Sequence, residues 1–209
     1  MQLHAADLAA LIRKLNASPA HVVGHSYGAF VTLAFALEHH ELVRSLVLCE
    51  PPVLSLLSET SVGKAAHESF TTQALRPSRR AVEAGDDEEA VRKFAEVVSG
   101  GGFGPWFDQL PPPAKANFMK KAAEFRLEML TESSRYLPTL ACETLDQLKR
   151  PILLVTGERS PALFLLITAE LERCLEGESH VMVPAAGHVM QYDNTTFYNE
   201  AVLEFLRRN

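Results

Sequence analysis

The chain has 209 residues, 47% hydrophobic and 22% charged, with a formal net charge of −6 and a pI near 5.8. That is an ordinary soluble globular composition, enough for one domain or one domain carrying an insertion. The acidic balance and the absence of any Lys/Arg cluster exclude a nucleic-acid footprint. No apolar run is long enough for a membrane span, and the first residues do not form a signal peptide.

In chain order, "DLAALIRKLN" places Leu8, Leu11, Ile12 and Leu15 at i, i+3, i+4 and i+7, the apolar face of an amphipathic helix ending near "NASP". "AHVVG" follows as a strand. A sharp turn through "HSYG" leads into "AFVTLAFALEHH", which reads as a buried helix through about Glu38. "VRSLVLCE" is a second strand, apolar on both faces and so interior to a parallel sheet, and "PPVLSLL" breaks it.

From about residue 55 to 148 helical patterns dominate, including "EEAVRKFAEVVS" and "AKANFMKKAAEFRLEML", while "RPSRR" at 76–80 reads as a solvated turn. "PILLVTGE" restores the strand pattern, "SPALFLLITAELERCL" follows as a helix of the core, and "SHVMVPAAGH" is a further strand. "TTFYNEAVLEFLRR" closes the chain as an amphipathic helix. Alternation of strands and helices predicts an α/β fold, a mostly parallel sheet with helices on both faces. Residues 1–54 and 149–209 form its core, and 55–148 an inserted helical cap. Cys49, Cys142 and Cys174 lie in apolar contexts at spacings that suit no metal motif. They read as reduced, buried thiols of a reducing, cytoplasmic compartment.

Gly24-His25-Ser26-Tyr27-Gly28 matches G-x-S-x-G between a strand and a buried helix. So tight a turn strains the backbone of its central serine. Flanking glycines let it pack, and the following helix points its positive end at the site. A serine hydroxyl needs a base. His188, in a small-residue loop after a late strand, is the candidate; His39, His40 and His67 lie on helix surfaces and His4 near the start. His25, adjacent to the serine, sends its side chain elsewhere and receives no role. Phe103, Trp106 and Phe107 in "GGGFGPWF" are candidates for lining an apolar substrate site, or for anchoring the cap to the core.

With these residues in place, the chain resembles the α/β-hydrolase fold superfamily. "GHSYG", "SLVLCEPP", "PILLVTGERSP", "AAGHVM" and the closing helix follow the family in order and spacing. The resemblance implies the order nucleophile, acid, histidine, with the backbone N–H of Tyr27 as an oxyanion donor. Most members carry the acid roughly where "ERSP" stands, but the usual position holds Ser160. A minority carry it after the preceding strand, where Glu50 stands. Glu50 is therefore the expected acid, with Glu158 and Asp193 as alternatives.

A serine nucleophile implies ester, thioester or lactone hydrolysis, or cleavage of an activated C–C bond, on a small apolar substrate, with no metal or organic cofactor. The chain departs from the family before "AHVVG", where one helix replaces several strands and the loop carrying the second oxyanion donor. It therefore reads as N-terminally truncated, with an exposed edge strand open to self-association. Weak activity, or none, is expected of it alone. The competing reading is a non-catalytic relative or fragment that serves in binding.

Overall fold

The computed structural model describes residues 2–99, 106–132 and 137–209. Helix α1 (Gln2–Lys14) leads into strand β1 (Ala20–His25), and α2 (Tyr27–Glu38) crosses to β2 (Val43–Cys49). The chain is then helical through α3 (Ser61–Phe70), α4 (Arg76–Glu83), α5 (Asp87–Val98), α6 (Trp106–Gln109), α7 (Pro112–Met119), α8 (Ala122–Leu130) and α9 (Cys142–Leu145). It re-enters the sheet at β3 (Ile152–Gly157). Helix α10 (Ala162–Cys174) crosses to β4 (Ser179–Val183), and α11 (Met190–Asp193) and α12 (Thr195–Arg208) finish the chain.

The four strands among the described residues are parallel, in the order β1-β2-β3-β4. Period-two alternation divides their side chains between two cores. Val22, Leu46, Leu48, Ile152 and Leu154 pack with α1, α2 and α10 on one face, while Val47, Cys49, Leu153 and Val155 pack with α12 on the other. The expected α/β arrangement, a parallel sheet with helices on both faces, is present. Helix starts follow local chemistry: Asp86 accepts the Glu89 N–H at the head of α5, and Asn194 that of Phe197 at the head of α12.

Four local expectations need correction. The apolar face of α1 is buried through Ala5, Ala9 and Ile12, whereas Leu11 and Leu15 are exposed; Leu8 is only partly covered. "RPSRR" is helix rather than turn. The π-turn Thr71–Leu75 precedes it and carries the chain past Pro77, which has no N–H to give, while ion pairs Arg76–Glu68 and Arg79–Glu83 line its surface.

"AKANFMKKAAEFRLEML" is two helices, α7 and α8, parted at Lys120–Lys121 without any Pro or Gly. Finally, Cys142 and Cys174 form a disulfide, with Cα atoms 4.8 Å apart, and only Cys49 is free. The packing of α9 against the end of α10 brings them together, which their separation of 32 residues did not reveal. The reading of three reduced thiols falls, and with it the inference to a reducing compartment. Among the described residues no helix is long and apolar enough to cross a membrane.

Candidate active site

Parallel strands put their C-terminal ends at one edge of the sheet, which is where such folds place their ligands. Ser26 follows the last residue of β1 and Glu50 the last residue of β2; His25 pairs with Cys49 in register, so Ser26 and Glu50 stand level. His188 lies five residues beyond the end of β4. Ser26 has φ +52° and Glu50 φ +48°, a region that non-glycine residues rarely occupy and that clusters at functional sites.

The elbow around Ser26 is tight on one side only. A Cβ at Gly24 would lie 2.6 Å from both Ala29 Cα and Thr32 Oγ1, so only glycine fits there. A Cβ at Gly28 would meet nothing within 4 Å. The expectation that both glycines relieve crowding therefore holds for Gly24 alone, because nothing among the described residues stands against Gly28. Helix α2 begins at Tyr27, and the Ser26 carbonyl accepts the N–H groups of Ala29 and Phe30.

Glu50 is wholly buried and both its oxygens are engaged. Oε1 accepts the Gly157 N–H at 2.8 Å, and Oε2 lies 2.6 Å from Nδ1 of His188, which is 3% exposed. A carboxylate only accepts, so Nδ1 carries the proton and Nε2 of His188 is left with a lone pair. That is the tautomer a general base requires. Both Ser26 and His188 line one cavity of about 650 Å³. No hydrogen bond joins Ser26 Oγ to His188 Nε2 among those of the described residues.

The other two carboxylates weighed as the acid act on the loop rather than on the ring. Glu158 Oε2 accepts the N–H of Ala185 at 2.6 Å, and Asp193 Oδ2 that of Gly187 at 2.8 Å. Both groups hold the loop that carries His188. Ser160 is buried with an unpartnered hydroxyl and lines a neighbouring cavity, not the one containing Ser26. Cys49, beneath Glu50, is a thiol pushed up to about 12, first by burial.

A second carboxylate–imidazole–hydroxyl chain occurs elsewhere. Glu172 Oε1 lies 2.8 Å from His180 Nδ1, and His180 Nε2 lies 2.7 Å from Thr156 Oγ1. Thr156 is fully buried, so no substrate reaches it. The chain straps β3, β4 and α10 together. Residue types and distances do not make a site without access.

The cavity wall is aromatic and comes from residues that the sequence did not single out. Phe164 stacks on the His188 ring at 4.1 Å and 15°. Phe70 meets Phe164 edge-on at 5.9 Å, Phe94 meets Phe70 at 6.0 Å, and Phe125 meets Phe94 at 5.3 Å. These rings belong to α10, α3, α5 and α8, so the helical segment between β2 and β3 walls most of the cavity. "FLLITAELERCL" is thus not only core, and His67, read as a surface residue, also lines the cavity.

Phe107 is not part of this wall. It is fully buried, with Lys115 Nζ 4.9 Å and the Arg92 guanidinium 5.8 Å from its ring centre, a cation–π anchor within the helical segment. Phe103 lies outside the described residues, and of Trp106 only the backbone, at the head of α6, is described. Among the described residues no group of three or more His, Cys, Asp or Glu side chains is placed to hold a metal ion.

A parallel sheet with a strained serine after one strand, a carboxylate after the next and a histidine after the last defines an α/β hydrolase. The family model described as "Alpha/beta hydrolase family" matches residues 2–201, and the chain belongs to that family. No curated protein matches the chain in sequence. MenH from S. aureus is similar in structure, with a TM-score of 0.71 and 15% identity over 98% of this chain and 74% of that one. Carboxylesterase CesB (YbfK) from Bacillus subtilis has a TM-score of 0.65 at 19% identity, covering 99% and 66% of the two chains. Est816, described as an N-acyl homoserine lactone degrading enzyme, has a TM-score of 0.65 at 17% identity, covering 96% and 73%. The chain thus spans about two thirds to three quarters of these structures.

Proposed function

We propose that the protein is a serine hydrolase cleaving the ester, thioester or lactone bond of a small, largely apolar substrate through a Ser26–His188–Glu50 triad beneath a helical cap. Activated C–C bond cleavage belongs to the same chemistry. His188 Nε2 takes the Ser26 proton as Oγ attacks the carbonyl carbon, and Glu50 stabilises the imidazolium through Nδ1–H. The Tyr27 N–H, at the positive end of α2, receives the oxyanion. His188 then returns the proton to the leaving group, and a water repeats the cycle to release the acid.

The observation that carries this reading is the 2.6 Å contact from buried Glu50 to His188 Nδ1, which leaves the other ring nitrogen basic. The aromatic wall supports an apolar acyl or ring group. Ester and lactone chemistry is also what is stated of two of the structural neighbours. A fluorophosphonate probe tests the reading: Ser26 becomes covalently labelled, and Ser26→Ala and His188→Ala abolish it. A second reading, a non-catalytic binding protein, draws support from the edge of β1 beside Ser26, which no strand among the described residues pairs. Absence of labelling would favour it.

A further inference from the structure

His25 had no role in the sequence, because adjacency to Ser26 turns its side chain away from the nucleophile. The structure shows where it turns. Its Nε2 lies 2.7 Å from the main-chain oxygen of His188, a hydrogen bond spanning 163 residues of sequence. A carbonyl can only accept, so His25 donates from Nε2 and is held in one neutral tautomer. Its ring also packs against the His188 ring, with centroids 4.7 Å apart at 42°.

Phe164 stacks on the His188 ring, Glu50 holds the Nδ1 edge, and His25 contacts both the ring and the main chain of the same residue. What remains unclaimed among these contacts is the Nε2 edge, the one that must meet Ser26. Because residues 25 and 26 are consecutive, a bond from His25 to His188 sets the distance between the nucleophile's turn and the base's loop. Glu158 and Asp193 hold that loop from its own side of the sheet, and His25 reaches it from β1.

We propose that His25 is the positioning residue for the general base, its Nε2–H···O=C bond to His188 aligning the imidazole with the Ser26 hydroxyl. This rests on His188 being the base. Burial, and then the neighbouring His188, lower the pKa of His25 to about 4. It therefore stays neutral near pH 7, and adds no second positive charge beside the imidazolium formed when His188 accepts a proton.

Three variants separate donor from ring. His25→Ala removes both, His25→Phe keeps a ring without the donor, and His25→Gln places an amide N–H near the position of Nε2. With thermal unfolding confirming that each is folded, the Ala and Phe variants should be labelled by fluorophosphonate roughly 10–100-fold more slowly than wild type, as a small misplacement of a reacting group predicts. His25→Gln should recover most of that rate. In ¹⁵N-histidine-labelled protein, the low-field Nδ1–H proton of His188 should be seen in wild type and His25→Gln, and be broadened by exchange in Ala and Phe.

Wild-type labelling of His25→Ala, with His188→Ala unreactive, would overturn the positioning role and leave the hydrolase reading intact. Equal slowing of Gln and Ala would overturn it as well. If no form of the chain reacts, the hydrolase reading fails alone, and the proton resonance still decides whether His25 holds the imidazole.

Discussion

The two sides of the sheet's C-terminal edge are built to different standards. Around β3 and β4, backbone and side chains interlock: a Cβ at Gly157 would lie 2.3 Å from the Gly187 oxygen, and the Arg159 N–H bonds the Ala186 carbonyl. Three carboxylates converge on residues 185–188. Around β1 the chain is open. Val23 pairs with Val47 in register and so shares its face, yet it is 46% exposed and absent from the core that covers Val47. Leu127, at 66% exposure, lines the same groove along β1 as Val23, and Leu11 and Leu15 of α1 are exposed. β1 and β4 each have one neighbour in the sheet, so the two sides differ in how side chains and loops cover the strand ends and not in the ladder. His188 is therefore fixed from many directions, while Ser26 is fixed chiefly from behind, by β2 and α2.

This contrast can be broken or sharpened. On the closed side, Glu50→Gln should slow fluorophosphonate labelling of Ser26 by roughly 10³–10⁴-fold, because the imidazole loses its tautomer control and its counter-charge. Glu158→Gln, at a side chain that holds the Ala185 N–H, should change the rate far less; the opposite ranking would make Glu158 the acid. Next in size, the two glycines of the turn should part company in thermal unfolding. Gly24→Ala meets Ala29 and Thr32 and should cost about 1–3 kcal/mol. Gly28→Ala, in the first turn of α2 with open space around it, should be neutral or gain up to about 1 kcal/mol. Equal losses at both positions would mean that the open side is occupied. Smallest in stability is Val23→Lys, expected to change it by less than about 0.5 kcal/mol. It should nevertheless abolish a concentration-dependent rise in mass, measured by light scattering, that an unpaired β1 edge predicts for the wild-type chain. A wild type that stays monomeric at every concentration would remove self-association.

Strand-turn-helix periodicity made the α/β class legible, because alternation between buried strand and buried helix is written in local hydrophobicity. The turn at Ser26 was legible for the same reason, since two valines, a short glycine-flanked turn and an apolar helix allow little else. Glu50 was reached by exclusion from a family pattern rather than by spacing. The cavity wall was not reached at all. Phe70, Phe94, Phe125 and Phe164 sit on four helices with nothing local to mark them, while the conspicuous "GGGFGPWF" drew attention away from them. Leu11 and Leu15 misled in the other direction, since a periodic apolar face says that a helix has a side to bury and not that anything covers it.

By itself the sequence determined the element order, the strained serine and the candidate histidine and carboxylates, because these depend on neighbours along the chain. Only the tertiary structure decided which carboxylate reaches the imidazole, that His25 bonds the main chain of His188, which helices wall the cavity and which cysteines meet. Each of those depends on distances between segments far apart in sequence, set by strand register and helix packing, to which local composition is blind.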